Sequence, residues 1–97
     1  MKKHPLLPLS ETMHYILIAL QEPLHGYAIM QKIDELSEGA VHLAAGTLYG
    51  ALDNMAKYDW IEQVGLEGRR KIYHITPEGQ RILAVEKARL VHLLSLY

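Results

Sequence analysis

Residues 46–55 of this chain form the pattern that most limits how it can fold. Apolar residues recur there with the spacing of one helix face, i, i+3, i+4 and i+7, at Leu48, Ala51, Leu52 and Met55. This spacing predicts an amphipathic helix whose apolar side faces a core. Its other side has few of the long charged side chains that are typical of a helix exposed only to water. The N-terminus of a helix also favours a negatively charged partner. We therefore interpret the segment as a DNA-recognition helix.

Length and composition fit a single small domain. The 97 residues can form only a thin core, which a second copy of such a chain often completes. A net charge of −1 argues against a protein that coats nucleic acid indiscriminately, and the absence of cysteine excludes disulfides and thiol chemistry. No apolar run reaches the roughly 18 residues of a membrane span, and the first residues lack a signal-peptide pattern. We expect a cytoplasmic protein without a membrane partner.

An arm and two helices are predicted ahead of the recognition helix. Residues 1–9 contain two lysines and two prolines. This arm either tucks its leucines onto the domain or reaches DNA or a partner subunit. The first helix is capped by Ser10 or Thr12 and ends before Pro23.

The second helix begins at residues 24–27 and ends at Gly39. Its predicted buried face consists of Tyr27, Met30, Ile33 and Leu36. After it, the alternating and β-prone residues Val41–Leu43 predict one short strand. The recognition helix then follows directly.

A hairpin is predicted after the recognition helix. Trp60, the only tryptophan, is expected in the core. Residues 61–66 alternate between apolar and other residues and predict a strand, and residues 69–75 predict the partner strand across a Glu67–Gly68 turn.

The last helix begins with Thr76 as N-cap and Pro77 as first helical residue, where the missing N–H of proline costs nothing. Its apolar positions, Leu83, Leu90, Leu94 and Tyr97, recur at intervals of three, four or seven and need a second helix to cover them. Glu86 and Lys87 interrupt this face, so a long regular coiled coil is not implied.

The predicted fold is therefore mainly α with a small β-hairpin: a winged helix-turn-helix followed by a C-terminal dimerisation helix. We expect an N-terminal arm at residues 1–9, a winged helix-turn-helix DNA-binding domain at residues 10–75 and the dimerisation helix at residues 76–97.

Two groups of residues are candidates for contacting DNA. Thr47, Tyr49, Gly50 and Asn54 lie on the outer side of the recognition helix, where asparagine can pair with adenine and hydroxyls can bond phosphates or bases. Arg69, Arg70 and Lys71 at the hairpin tip would contact the DNA backbone or minor groove, which adds affinity without sequence information. Lys32 on the second helix is a weaker candidate.

Enzyme, metal and cofactor sites are not predicted. The six histidines form no close ligand pair and have no cysteine support. Gly46 and Gly50 flank a helix turn, which differs from the strand-to-helix turn of a phosphate-binding loop. The serines lack the context of a nucleophile, so we expect no catalytic residues.

Three motifs, in their order and spacing, resemble the PadR family of bacterial and archaeal transcriptional regulators: His25–Tyr27, Gly46–Tyr49 with Ala51–Leu52, and Gly68–Gly79. The resemblance covers roughly residues 10–85. It implies a homodimeric repressor that binds a near-palindromic operator and is released by a small aromatic or drug-like molecule. The short length is similar to the branch of the family with a single C-terminal helix.

The chain also departs from the family pattern. Ala44 and Ala45 stand where serine or proline is common, so the usual cap of the recognition helix is missing. Gly50 replaces a common proline and should loosen the first turn by up to about 1 kcal/mol relative to alanine. The chain stops after Tyr97, so part of the usual dimer helix is expected to be absent.

In the dimer that the resemblance implies, the last helix of one subunit packs on the first and last helices of the other. The residues expected at this ligand and dimer interface are Tyr15, Leu83, Leu90, Leu94 and Tyr97. A ligand there could change the separation of the recognition helices, which must match major grooves about 34 Å apart.

The near-neutral charge and the lack of arginine on the recognition face leave an alternative, a winged-helix protein-interaction module that does not bind DNA. A third possibility is a sensor whose last helix has been cut short.

Overall fold

Four helices and a three-stranded antiparallel sheet form the part of the chain that the structure, a computed structural model, describes, residues 7–97. The elements are α1 (Glu11–Ala19), β1 (Leu24–His25), α2 (Gly26–Leu36), α3 (Ala45–Lys57), β2 (Ile61–Glu67), β3 (Arg70–Ile75) and α4 (Pro77–Ser95). The strands lie in the order β1-β3-β2, and the hairpin of β2 and β3 forms the wing. This architecture confirms the predicted fold class. Most of the expected arm, residues 1–6, lies outside the described residues.

Side-chain caps begin the first and last helices as the sequence predicts. The Ser10 hydroxyl accepts a hydrogen bond from the Met13 N–H at 3.1 Å, which identifies Ser10 as the cap of α1. The Thr76 hydroxyl accepts one from the Gly79 N–H at 3.0 Å, directly before Pro77. Both caps satisfy N–H groups that have no partner inside the helix.

The predicted strand at Val41–Leu43 is wrong, and the third strand lies elsewhere. Residues 41–43 pair with no strand, and the Val41 N–H donates to the Ser37 hydroxyl at 3.0 Å. The third strand is β1, in which Leu24 pairs with Tyr73 and His25 with Ile72. A two-residue strand has no alternation of its own, so its pairing depends on the neighbouring edge of β3.

The buried face of α2 also differs from the prediction. Tyr27 and Leu36 are 55% and 41% exposed, whereas the buried residues of this helix are Gly26, Ile29 and Ile33. The helix begins at Gly26, and successive residues are rotated by about 100° around its axis. The core therefore meets the face that contains Ile29 and Ile33, which turns the neighbouring Tyr27 outward.

The core forms where the helices pack on one another and on the sheet. Leu48, Leu52 and Met55 of α3 are at most 1% exposed and Ala51 packs against them, which confirms the predicted apolar side. Burial of each large apolar side chain contributes roughly 1.5–3 kcal/mol. The side chains that are both large and almost completely buried are Trp60, Ile16, Leu17, Leu20, Ile29, Ile33, Leu48, Leu52, Met55 and Ile61. Trp60 is thus a core residue, as expected.

Strand β2 forms as predicted, but its alternation is interrupted. The register with β3 shifts between Gln63 and Gly65, which leaves Val64 as the extra residue of a β-bulge. Val64 and Leu66 are exposed, by 49% and 63%. The wing therefore carries apolar side chains on its surface, beside its cations.

Helix α4 is buried in its first half and exposed in its second. Leu83 belongs to the core of the chain itself, and Glu86 is only 2% exposed. The Glu86 carboxylate accepts a hydrogen bond from the Leu9 N–H at 2.5 Å and one from Arg89 Nε at 2.9 Å. Beyond Glu86 most apolar residues of the helix are exposed. No helix within residues 7–97 is long and apolar enough to cross a membrane.

Candidate nucleic-acid interface

The outer side of α3 presents the polar residues that the sequence assigned to DNA recognition. Thr47, Tyr49, Gly50 and Asn54 are all exposed, because the buried apolar side of the helix turns them away from the core. Ala44 occupies the N-cap position and provides no side-chain hydrogen bond. The first N–H groups of α3 are therefore left to water or to an acceptor on a partner.

Tyr49 of α3 lies across the start of α2. A methyl group at Gly26 would stand 2.6 Å from the Tyr49 hydroxyl oxygen, so the phenol occupies the space where any other residue would carry its side chain. Tyr49 nonetheless stays 51% exposed. The His25–Tyr27 motif and the recognition helix thus meet at one point on the surface.

Tyr73 of β3 joins the wing to the same region. Burial of its hydroxyl, together with the nearby Asp53 carboxylate and the Tyr49 phenol, raises the pKa of Tyr73 above its ordinary value of 10.0. Tyr73 therefore remains protonated at neutral pH. Tyr73 also belongs to the same buried cluster as Leu48 and Leu52 of α3, so the wing and the recognition helix share one core.

The three cations of the wing are exposed and lie on different sides of it. Side chains alternate along a strand, so Lys71 shares a face with Tyr73 whereas Arg70 is on the opposite face. Arg69 lies in the turn beside Gly68, whose φ of 62° is the left-handed conformation that glycine adopts without strain. Lys71 is thus the wing cation on the same face of β3 as the buried residues Tyr73 and Ile75.

Arg70 Nη1 lies 3.5 Å from His25 Nε2. The Nδ1 atom of His25 accepts a hydrogen bond from the Ala28 N–H at 3.3 Å, so a neutral ring carries its proton on Nε2. In that tautomer Nε2 can donate towards Glu67, whose Oε2 is 3.9 Å away, but cannot accept from Arg70. His25 therefore acts as the cap of α2, and the Arg70 guanidinium is left to contact other groups.

Lys32, the weaker candidate, lies apart from this region. Its Nζ is 3.7 Å from Glu22 Oε1, beside the end of α1. Within residues 7–97, no hydrogen bond or ion pair joins Lys32 to α3 or to the wing. Lys32 is therefore placed with Glu22 and not with the candidates of α3 or the wing.

Two adjoining grooves beside α1 and α4 collect most residues of the expected ligand and dimer interface. One, of about 470 Å³, is lined by Leu83, Leu90 and Leu94 among others. The other, of about 390 Å³, is lined by Tyr15 and Leu90. Tyr97 lines neither of them and is fully exposed at the end of α4.

Two residues at contacts between elements, Ile18 and Gly26, were not predicted from the sequence. Ile18, 37% exposed on α1, lines both grooves together with His14. Nothing in the local pattern marks Ile18, since an apolar residue in an apolar helix is expected in the core. Gly26 was part of a noticed motif, but its contact with Tyr49 depends on how α2 and α3 pack.

Known proteins share both sequence and fold with this chain. The model of the transcriptional regulator PadR-like family matches residues 16–85. An uncharacterized 37.1 kDa protein in transposon TN4556 of Streptomyces fradiae is 34% identical over 79 residues, which are 80% of this chain and only 22% of that protein.

Solved structures agree with this match. A transcriptional regulator from Clostridium thermocellum has a TM-score of 0.75 and 26% identity, over 87% of this chain and 84% of its own. PadR of Bacillus subtilis, solved in complex with operator DNA, shares the fold at 22% identity and a TM-score of 0.68, over 79% of this chain and 46% of its own. Because the family model spans more than half of the sequence, the chain belongs to the PadR-like family of transcriptional regulators.

Proposed function

We propose that this protein regulates transcription by binding double-stranded DNA at a specific, near-palindromic site as a homodimer. The observation that carries the proposal is the position of the exposed polar side of α3 next to the wing. Tyr49 of α3 lies against Gly26, and the preceding residue, His25, pairs with Ile72 of the wing. Family membership and the operator complex of the structurally similar Bacillus subtilis PadR support it.

The two parts of this surface have different roles. Asn54 and Thr47 read bases in the major groove, since an amide can pair with adenine and the threonine methyl can contact thymine. Arg69, Arg70 and Lys71 neutralise phosphates, which makes binding depend on salt. Tyr49 and Gly50 form the close contact between α3 and the sugar-phosphate backbone of the DNA. Lys32 contributes only if DNA extends beyond α3 to the end of α1.

Homodimer formation covers the second half of α4. Val91 and Leu94 are 58% and 71% exposed on the same helix, and a chain with such apolar residues on its surface is expected to bury them against a partner. The same helix from a second copy supplies matching apolar side chains. Tyr15, Leu83, Leu90 and Leu94 already line the grooves into which these would pack, and Tyr97 extends the contact at the helix end.

The function also includes repression relieved by a small hydrophobic or aromatic molecule. The larger groove, of about 470 Å³, falls in the range of roughly 300–1,000 Å³ that is typical of ligand sites. A ligand that takes the place of the partner's side chains in this groove would change the distance between the recognition helices. A planar aromatic dye tests this step, since its binding should weaken the DNA complex of the wild type.

Selection of duplexes from a random-sequence pool tests DNA binding itself. The selected duplex and a scrambled control are titrated with the purified protein by fluorescence anisotropy at two salt concentrations. We expect half-sites related by near-palindromic symmetry, binding about a thousandfold tighter than to the control, and weaker binding at higher salt. Equal, weak binding to both duplexes would overturn the proposal and favour the protein-interaction module.

A further inference from the structure

The glycine at the start of α2 is not required by its own backbone. Within residues 7–97 the glycines with left-handed φ values are Gly39 and Gly68, and Gly26 is not one of them. In a helix, alanine is intrinsically favoured over glycine. The reason for a glycine at this position therefore lies in what packs against it.

Tyr49 is the residue that packs there. A methyl group at Gly26 would lie 2.6 Å from the Tyr49 hydroxyl oxygen, 3.0 Å from Cζ and 3.2 Å from Cε1. One edge of the ring is thus held against the start of α2, while 51% of the residue remains exposed. The contact restricts the direction of a side chain that is otherwise open to solvent.

The start of α2, against which the Tyr49 ring lies, is itself held in place by other contacts. The preceding residue, His25, pairs with Ile72 of the wing and caps α2 through its Nδ1 atom. Leu24, one residue earlier, pairs with Tyr73 of the wing. The start of α2, against which the Tyr49 ring lies, is therefore fixed to β3 by strand pairing.

We propose that Gly26 is a positioning residue for DNA recognition, because the absence of a side chain there lets the hydroxyl end of the Tyr49 ring lie against the start of α2 and so fixes the direction of the ring. The inference rests on the proposed function and deepens it. A phenol already held in its bound direction loses less conformational entropy on contacting a phosphate or base than a freely rotating one. A methyl group at position 26 forces the ring away, since the exposed side chain yields more easily than the buried helix start.

A double-mutant cycle in DNA binding tests this role. The wild type, Gly26→Ala, Tyr49→Ala and the double variant are titrated with the duplex that the wild type selects from a random pool. We expect Gly26→Ala to weaken binding about three- to tenfold in the presence of Tyr49, which corresponds to one side chain that must be ordered on binding. In the Tyr49→Ala background the same substitution should change binding by less than about twofold. An equal loss in both backgrounds, or no loss in either, would overturn the proposal.

Thermal unfolding of the same four proteins tests the contact without DNA. With Tyr49 present, Gly26→Ala should leave the Tm unchanged or lower it, whereas without Tyr49 it should raise the Tm through better helix propensity. Gly46→Ala is the matched control near the start of α3, where a methyl group meets no atom within 4 Å. Gly46→Ala should raise the Tm both in the presence of Tyr49 and in the Tyr49→Ala variant.

The two cycles separate failure of this inference from failure of the proposed function. If the wild type selects no duplex but the Tm values are coupled, Gly26 positions Tyr49 and the DNA-binding function is wrong. If the wild type binds a selected duplex and neither cycle shows coupling, the positioning role is wrong and the proposed function stands.

Discussion

The Glu86 carboxylate accepts a hydrogen bond from the Leu9 N–H at 2.5 Å and thereby ties the residues ahead of α1 to α4. Arg89, one turn further along α4, donates to the same carboxylate at 2.9 Å. Burial by itself would raise the pKa of Glu86, but the hydrogen bonds from Arg89 and from the Leu9 N–H outweigh it, and the pKa lies below the ordinary value of 4.5. Glu86 is therefore a buried ionised residue with partners on two elements.

Replacing Glu86 by alanine should lower the free energy of unfolding by about 2 kcal/mol at neutral pH, because the Leu9 N–H and Arg89 lose a buried acceptor. Since the folded-state pKa lies below the unfolded value near 4.5, this contribution is present above that pH. It is lost as the pH falls through the folded-state pKa. Urea denaturation followed by Trp60 fluorescence over this range should show wild type and variant converging in acid.

The exposed pair of Glu78 and Arg81 is the matched control for this substitution. It has the same spacing on the same helix, with Arg81 Nε 3.0 Å from Glu78 Oε1, but no N–H from another element. Glu78→Ala should therefore destabilise the protein clearly less than Glu86→Ala. Equal losses would contradict the assigned role of the Leu9 contact.

Gly79→Ala should destabilise the protein by at least about 2 kcal/mol, because it overpacks the junction between α4 and the core. A methyl group there would collide with the Trp60 carbonyl oxygen and lie 2.6 Å from Ile75 Cγ1. Thermal unfolding measures the loss. Gly50→Ala is the control, since a methyl group on that turn of α3 meets no atom within 4 Å. Gly50→Ala should stabilise the protein by up to about 1 kcal/mol. A Gly79→Ala variant as stable as the wild type would contradict the prediction and show that the junction between α4 and the core can relax.

The wing cations should govern how DNA binding depends on salt. Arg69→Ala and Lys71→Ala should each weaken binding to all duplexes and lower the slope of log K against log salt by about one, because each removes one phosphate contact. Asn54→Ala should act differently. It should reduce discrimination between the selected and scrambled duplexes by about 1–3 kcal/mol and leave the slope unchanged.

Arg81→Ala controls for the loss of a positive charge as such. The Arg81 guanidinium already pairs with Glu78 on α4 and belongs to neither α3 nor the wing. Its removal should leave the salt slope at the wild-type value. A slope that falls equally for Arg81→Ala would mean that overall charge, and not the wing, determines the salt dependence.

Leu90→Asp should produce monomers that no longer bind the selected duplex tightly, because it places a charge in both grooves beside α1 and α4. Light scattering after size-exclusion chromatography gives the oligomeric state, and anisotropy gives the affinity. Ala88→Asp puts the same charge on an exposed position of α4 that lines neither groove. If Leu90→Asp remains dimeric while the control behaves like wild type, the dimer face lies elsewhere.

The local signals in the sequence were sufficient for most elements of the fold. The Ser10 and Thr76 caps and the hairpin turn at Gly68 each depend on residues within a few positions of one another. The apolar spacing in α3 likewise predicts its buried side, because the period of the helix alone decides which residues share a face. These features also located the outer face of α3 and the cations of the wing.

The tertiary structure decided what depends on residues far apart in the chain. Leu24 pairs with Tyr73, and the Leu9 N–H reaches Glu86 across 77 positions, so neither contact leaves a periodic trace in the sequence. The outward position of Tyr27 follows from the side on which the core meets α2.

The sequence by itself therefore determined the order of the four helices and the hairpin and the exposed polar residues of α3 and the wing, since these follow from local backbone preferences and periodicity. Only the tertiary structure decided which of those residues meet. Tyr49 lies against Gly26, whereas Lys32 pairs with Glu22 beside the end of α1. The physical reason is that packing between α2, α3 and the wing sets these distances, and no single segment contains that information.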